Sequence, residues 1–340
     1  IAAVYRGHGP KNSEISNIPG FDQHLLQRAT RLGANLRPQM VTSVDFTTGR
    51  PELTLADGRS ENYDLLVIAS GLNSALLSMV EQTGCGFVRP KAAKSFVAEF
   101  KLGADAVERH LGNSMHVFLL DLPHLQFAAL IPKGDYVTLV MLGDKVDEAL
   151  VNAFLNAEEV RKCFPERRPP PNICQCFPRL NVSQARRPYA DRLIFIGDSG
   201  VARLYKDGIG SAYRTAKAAA NCVSLYGFSS SDLEKHYWPA CRKIIIDNLM
   251  GKCVFGVCHL IQKLTFARRS VLRMTEQEQN DANVVPRMSS VLWDVFTGSA
   301  PYKEVFLRTL HPVFIARLMW NLCAANLRIP TGKKPEVTAT

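Results

Sequence analysis

The sequence predicts an α/β fold class, α+β over the whole chain, in which an open α/β unit is interrupted by an antiparallel sheet and followed by a helical C-terminal domain. Three observations predict it. Residues 64–69 and 193–196 are short apolar runs that end in glycine-containing loops, as buried parallel strands do. Between them lie four extended runs, at 94–102, 115–120, 125–131 and 136–142, with Gly134 and Asp135 turning the last two into a hairpin. Beyond Ser231 nearly every segment repeats its apolar residues at helical spacing.

Taken in order, Phe21, Leu25, Leu26, Ala29 and Leu32 form the stripe of an amphipathic helix that Gly33 stops, and the stripe needs a surface to rest on. Residues 40–46 and 51–56 read as strands, the second closed by Asp57-Gly58. The run 64–69 is expected to be buried on both faces. After the extended runs, helices at 146–156 and 157–163 lead into Arg167-Arg168-Pro169-Pro170-Pro171, a stiff basic connection expected to cross between domains. Helices are expected at 232–237, 241–262, 289–296 and 302–322, with a polar, loose tail from Pro330. The expected domains are residues 1–80 with 186–240, the inserted sheet at 81–185, the helical domain at 241–329 and the tail at 330–340.

Composition narrows the classes. A chain of 340 residues suits about two or three domains, and 46% hydrophobic with 21% charged residues is the balance of a soluble globular protein. The net charge of +10 is concentrated late, with 14 Lys and Arg against 7 Asp and Glu from Cys241 onward. Such an excess keeps a protein soluble or attracts an anionic partner. The basic residues are dispersed over apolar helix faces without a recognition motif, so no nucleic acid is expected. Nine cysteines without a framework imply reduced thiols in a cytoplasmic compartment, and Cys174-x-Cys176 alone falls short of a metal site. No secretory leader is expected at the opening segment. Apolar stretches are broken by Asp247, Lys252 and His259, and by Arg308, His311 and Arg317, before they reach membrane-spanning length. Residues 266–273, with Phe266, Arg268, Arg269 and Arg273, leave two readings open. The basic helices pack on the core, or they lie at an anionic membrane surface, which would put the protein at the inner face of a membrane.

The chemistry centres on residues 192–220. An apolar strand ends in Gly197-Asp198-Ser199-Gly200, and Asp207-Gly208-Ile209-Gly210 then opens a helix with Ala212, Ala216 and Ala220 on one small-residue face. Glycines at a helix start leave backbone N–H groups bare at the positive end of the helix dipole, where a phosphate or an electron-rich ring edge can be held. On spacing alone two readings stand side by side: the glycines shape a turn that Asp198 caps, or the helix start receives a ligand.

Gly197-Asp198 followed by Asp207-Gly208-Ile209-Gly210 and an alanine-rich helix resembles the second FAD motif of the geranylgeranyl reductase and aromatic hydroxylase flavoproteins. Phe21-Asp22, Gly33-Ala34, Asp57-Gly58 and the run ending Ala69-Ser70-Gly71-Leu72-Asn73-Ser74 resemble, in the same order, that group's adenine-side segment, with Ser70 where the group has an acidic residue. The resemblance implies a Rossmann-like FAD-binding domain and FAD contacts at Val41, Ala69, Gly71, Gly197, Asp198, Gly208, Ile209 and Gly210. Phe127 to Gly134 resembles the reductases' substrate sheet and implies pocket positions at Phe127 and Pro132; residues 293–312 resemble their last domain. The group's first motif, a strand and Gly-x-Gly-x-x-Gly opening a helix, has no counterpart, because Gly7-His8-Gly9 lacks the strand and Gly84-Cys85-Gly86 the third glycine. The domain is therefore expected to lack its first βαβ unit.

The function implied is that of an FAD-dependent oxidoreductase in which NAD(P)H reduces FAD and the flavin reduces a small apolar, isoprenoid-like substrate between sheet and helical domain. Two alternatives stand beside it, a flavin-dependent monooxygenase acting as a hydroxylase, and a non-catalytic remnant. No side chain stands out as the catalytic acid.

Overall fold

A computed structural model describes residues 21–326 except 173 and 282; Gly7-His8-Gly9 and the tail from Pro330 lie outside the described residues. The first helix, α1 (Phe21–Arg31), has Asp22 in its first turn and Arg28 and Arg31 in its last, the order the helix dipole favours. None of its residues is buried. Strands β1 (Val41–Asp45), β2 (Glu52–Leu55) and β3 (Ser60–Asn62) form an antiparallel sheet, with Gly58 at φ +81° in the turn between the last two. Strand β4 (Leu66–Ile68) leads to α2 (Ala75–Gln82), whose N-cap Ser74 accepts from the Leu76 N–H at 3.2 Å.

The chain then builds the inserted sheet from β5 (Ala92–Lys101), α3 (Ala104–His110), β6 (His116–Phe118), β7 (Leu125–Lys133), β8 (Tyr136–Gly143), α4 (Glu148–Asn156), α5 (Glu158–Arg161), β9 (Cys174–Cys176) and β10 (Arg179–Asn181). The strand order is β10-β5-β8-β7-β6, all antiparallel, with β9 also on β5. Alternate residues of the central strands, Phe96 and Phe100, Leu130, Leu139 and Met141, bury one face against Phe154 and Phe164. The connection at 167–171 does not cross between domains. It returns to the edge of the same sheet, where Cys174 to Cys176 pair with Glu99 to Val97.

The chain returns through β11 (Tyr189–Ala190) and β12 (Leu193–Phe195), which runs parallel to β4 with Leu193 opposite Leu66 and Phe195 opposite Ile68. Every residue of β12 is buried. Leu193 and Phe195 face a core with Leu77, Val80 and Phe87, whose ring stacks on Phe195 at 3.7 Å. Ile194 faces the other way, into a core with Cys222, Leu233, Tyr237 and Cys241. Strand β4 departs from its expected burial on both faces. Among the described residues it is paired to β12 along one edge only, and Val67 at its centre is 42% exposed.

The remainder is helical: α6 (Gly208–Leu225), α7 (Ser230–Asp232) running through a π turn (Leu233–Tyr237) into α8 (Trp238–Lys263), α9 (Thr265–Asn280), α10 (Arg287–Thr297), α11 (Tyr302–Thr309) and α12 (Pro312–Asn326). The single helix expected over 302–322 is two. Pro312 has no N–H to continue α11 and instead occupies the start of α12. Met274, Met288, Val295, Val305 and Phe314 form the core among these helices.

Candidate functional site

Because β4 and β12 are parallel, their carboxyl ends lie side by side, the place where open α/β sheets put ligands. The Ile196 N–H donates to the Ile68 carbonyl at 3.0 Å, and the Ser199 hydroxyl donates to the same oxygen at 2.8 Å. Two loops are thereby tied together, Ala69–Ser74 and Gly197–Ser199. Gly71 stands at φ +69° and Gly197 at φ +60°, backbone that favours glycine. At Gly197 the reason is also steric, since a Cβ would stand 3.1 Å from that of Ala212. Its N–H donates to Thr215 Oγ1 at 2.9 Å. The buried residues of α6 are Ser211, Thr215, Ala219 and Cys222; of the alanines expected on its small-residue face, Ala212 meets Gly197, Ala216 is half-buried and Ala220 is exposed. The Thr215 hydroxyl turns an apparently polar position into a contact, because it also donates to the Ser211 carbonyl at 2.8 Å.

The start of α6 is open. Asp207 is its N-cap in the left-handed region at φ 58°, and its carboxylate does not cap the helix. Arg203 holds it at 3.1 Å and Arg214 at 2.5 Å. The Asp207 carbonyl takes the Ser211 N–H at 2.9 Å, so the N–H groups of Gly208, Ile209 and Gly210 are those that α-helix geometry leaves without an intrahelical acceptor. Ile209 is 70% exposed. Two arginines neutralise the Asp207 carboxylate beside these amides, and the helix dipole adds about half a positive charge there.

Asp198 faces this helix start, its Oδ2 lying 3.4 Å from where a Cβ on Gly208 would be. Burial raises its carboxyl pKa, and a 3.1 Å hydrogen bond from Asn181 Nδ2 opposes the rise. The other amide atom of Asn181 is a buried oxygen without a hydrogen-bond partner among the described residues. That orphaned acceptor, the Asp198 carboxylate and the bare amides of α6 suit a ligand that brings hydroxyl donors at one end and negative charge at the other. A ribityl chain with a flavin ring or phosphate has that chemistry, so the residues present fit FAD.

Contacts with the inserted sheet and with α10 fix the loop before α6. Tyr205 and Asp207 are both non-glycine residues at positive φ. The Tyr205 N–H donates to the Asn181 carbonyl at 3.1 Å, linking the loop to the inserted sheet. Arg203 donates to the Gly298 carbonyl at 3.0 Å and Lys206 Nζ to the Asp294 carbonyl at 2.9 Å and to that of Val295, so both basic side chains grip the C-terminal turn of α10. Burial, and after it the Arg203 charge, bring the Lys206 pKa down to about 7.

The sequence-expected residues thus divide. Ala69, Gly71, Gly197, Asp198, Gly208, Ile209 and Gly210 lie on the two tied loops and the helix start they face. Val41 packs with the core beneath β4 and β12. Phe127 and Pro132 are not brought together. They point to opposite faces of β7 about 16 Å apart, by strand geometry. Phe127 instead packs against Phe255 and Phe296 at 6.3 and 5.2 Å in an aromatic group that continues through Tyr205 and Tyr302. Sequence reasoning missed Asn181, Arg203, Lys206, Arg214 and Thr215. Only Arg203, four residues before Asp207, had a local signal.

No family model and no curated protein matches the sequence. Solved structures do match its fold. The halogenase PltM in complex with FAD superposes with a TM-score of 0.55 at 12% identity, over 92% of this chain and 69% of that one. The Diels-Alderase PyrE3 of pyrroindomycin biosynthesis superposes with a TM-score of 0.51 at 17% identity, over 81% of this chain and 59% of that one. The chain therefore has the α/β fold, with its added sheet and helices, of the FAD-bound halogenase PltM, and spans 69% of that protein's length.

Proposed function

We propose that the chain belongs to an FAD-dependent oxidoreductase. The observation that carries the reading is the start of α6, where three bare amides face the Asp198 carboxylate at the carboxyl ends of two parallel strands. Asp198 and the Asn181 oxygen would accept from ribityl hydroxyls, and the amides of Gly208 to Gly210 would stabilise the negative edge of the reduced ring. FAD supplies hydride and electron transfer when bound. The protein's part is placement: Arg203 and Arg214 offset the Asp207 charge beside the amides, and the aromatic group around Phe127 and Tyr205 shields the neighbouring space from water.

An apolar substrate fits the aromatic group, and NAD(P)H is the proposed electron donor. A second reading, in which the reduced flavin reacts with oxygen as in a monooxygenase, is favoured by the fold shared with PltM. Flavin binding tests the common core. Titration of FAD with the protein should quench flavin fluorescence, and Asn181→Ala should weaken the binding. Retention of full affinity in that variant would remove Asn181 from the site, and absence of binding in both would reject the flavin assignment. Stopped-flow reoxidation then separates the readings: substrate reduced without oxygen supports the reductase, and oxygen consumed with hydroxylated product supports the monooxygenase.

A further inference from the structure

Helix α8 presents two apolar faces, and the described residues cover one of them. Cys241, Ile244, Asn248, Gly251, Val254 and Gln262 are buried. On the opposite side Ile246, Leu249, Val257 and Leu260 are each about half exposed, with exposed Cys253 between them. At 100° per residue these five fall on one line about 21 Å long. The most apolar 18-residue window of 230–263 has a mean hydropathy of 1.6, and only 28% of it is buried.

Charge says what covers the stripe. Residues 238–273 hold seven Lys and Arg and one acid, Asp247. That acid is turned inward, bound by Arg203 at 3.5 Å and by the N–H groups of Tyr302 and Lys303 at 3.1 and 2.9 Å. By helical angle Arg242 lies in line with the stripe, Lys243 on one flank and Lys252 and Lys263 on the other, and all four are exposed. An apolar line bordered on both sides by cations is the pattern of a helix lying in the plane of an anionic membrane interface. A second copy of the chain would set like charges against each other across the stripe, and a nucleic acid would leave the stripe wet.

The helix cannot cross a bilayer while folded in this way. Asn248 donates to the Ala202 carbonyl and accepts from the Leu204 N–H, at 2.9 and 3.0 Å, which fixes the middle of α8 to the loop before α6. We propose that α8 docks the protein on an anionic phospholipid surface, with Ile246, Leu249, Val257 and Leu260 entering the acyl boundary and Arg242, Lys243, Lys252 and Lys263 meeting headgroup phosphates. Such docking would place the flavin-fold site beside a source of apolar substrates, but the surface itself does not depend on the flavin reading.

Co-sedimentation of the full chain with vesicles tests it. Vesicles of phosphatidylcholine with about one third phosphatidylglycerol should pellet the protein at low salt, whereas phosphatidylcholine alone should not. Lys252→Gln and Lys263→Gln, both at exposed positions, should each weaken binding roughly fivefold. Leu249→Glu with Val257→Glu should weaken it at least about tenfold with an unchanged melting temperature. Failure to bind anionic vesicles overturns the proposal. So does binding that neither pair of substitutions alters, or a stripe-dependent dimer without vesicle binding.

Discussion

Replacing Lys206 with methionine keeps the length of the side chain and removes its charge and its donors. In the native fold the amine is held by the Asp294 and Val295 carbonyls and lies 4.7 Å over the Tyr302 ring. Its pKa falls from 10.5 to about 7 through burial first and the Arg203 charge second, against the opposing pull of Cys258, Asp207 and Asp294. Below pH 7 the lysine is protonated both folded and unfolded and adds no slope. Between pH 7 and about 10 the unfolded chain binds one more proton, so stability rises with pH, approaching about 1.4 kcal/mol per unit. From pH 7 to pH 9 the gain is therefore on the order of 2 kcal/mol. Above that window the buried thiols of Cys241 and Cys258, both pushed up to about 11, work in the other direction, because there the folded state keeps the proton. Urea unfolding followed by tryptophan fluorescence at pH 7, 8 and 9 reads the effect. The wild type should gain stability across the series, and Lys206→Met should stay nearly flat. The variant does not bear the wild type's cost of burying that charge, so the difference in stability between the two should move in the wild type's favour by that same amount, on the order of 2 kcal/mol, between pH 7 and pH 9. A wild type without the rise, or a variant that keeps it, would refute the reasoning.

Three further outcomes follow from the site. Gly208→Ala puts its methyl in ordinary contact with Asp198, so its urea midpoint should stay within about 1 kcal/mol of wild type while FAD affinity, read by fluorescence quenching, falls about tenfold. Gly197→Ala should lower the melting temperature, at a cost of about 1–3 kcal/mol, because its backbone is left-handed and α6 packs directly on it. Asp198→Asn should raise the urea midpoint at pH 7. Burial lifts the wild-type carboxyl pKa, so the native state is penalised for ionising it above that pKa, and the difference should vanish below the unfolded carboxyl's pKa.

The strands and helix start of the site were legible because their signals are local: apolar runs cut by glycine at 69–71 and 195–197, then Asp-Gly-Ile-Gly before small residues. What sequence reasoning lost depends on contacts between distant segments. Thr215 carries no local signal in the sequence, yet its hydroxyl accepts from the Gly197 N–H and its side of α6 is buried. Lys206 and Arg203 take partners that stand 88 and 95 residues later, at the end of α10 and its C-cap Gly298. Phe127 was placed in the sheet correctly, but the rings that meet it come from α8 and α10, so its role could not be read from β7 alone.

The same distinction explains the apolar surfaces of α1, β4 and α8 that the described residues leave open. Periodicity announced the stripe of α1 and the run of β4, and it carried no information about whether a neighbour would meet them; Leu25 and Leu26 remain about half exposed, as does Val67. On α8 apolar residues occupy both faces, but there the flanking charges add a second, independent pattern. An apolar stripe alone states only that something covers it. A stripe with Arg242, Lys243, Lys252 and Lys263 at its borders, and its single acid turned inward, also states the sign of what does.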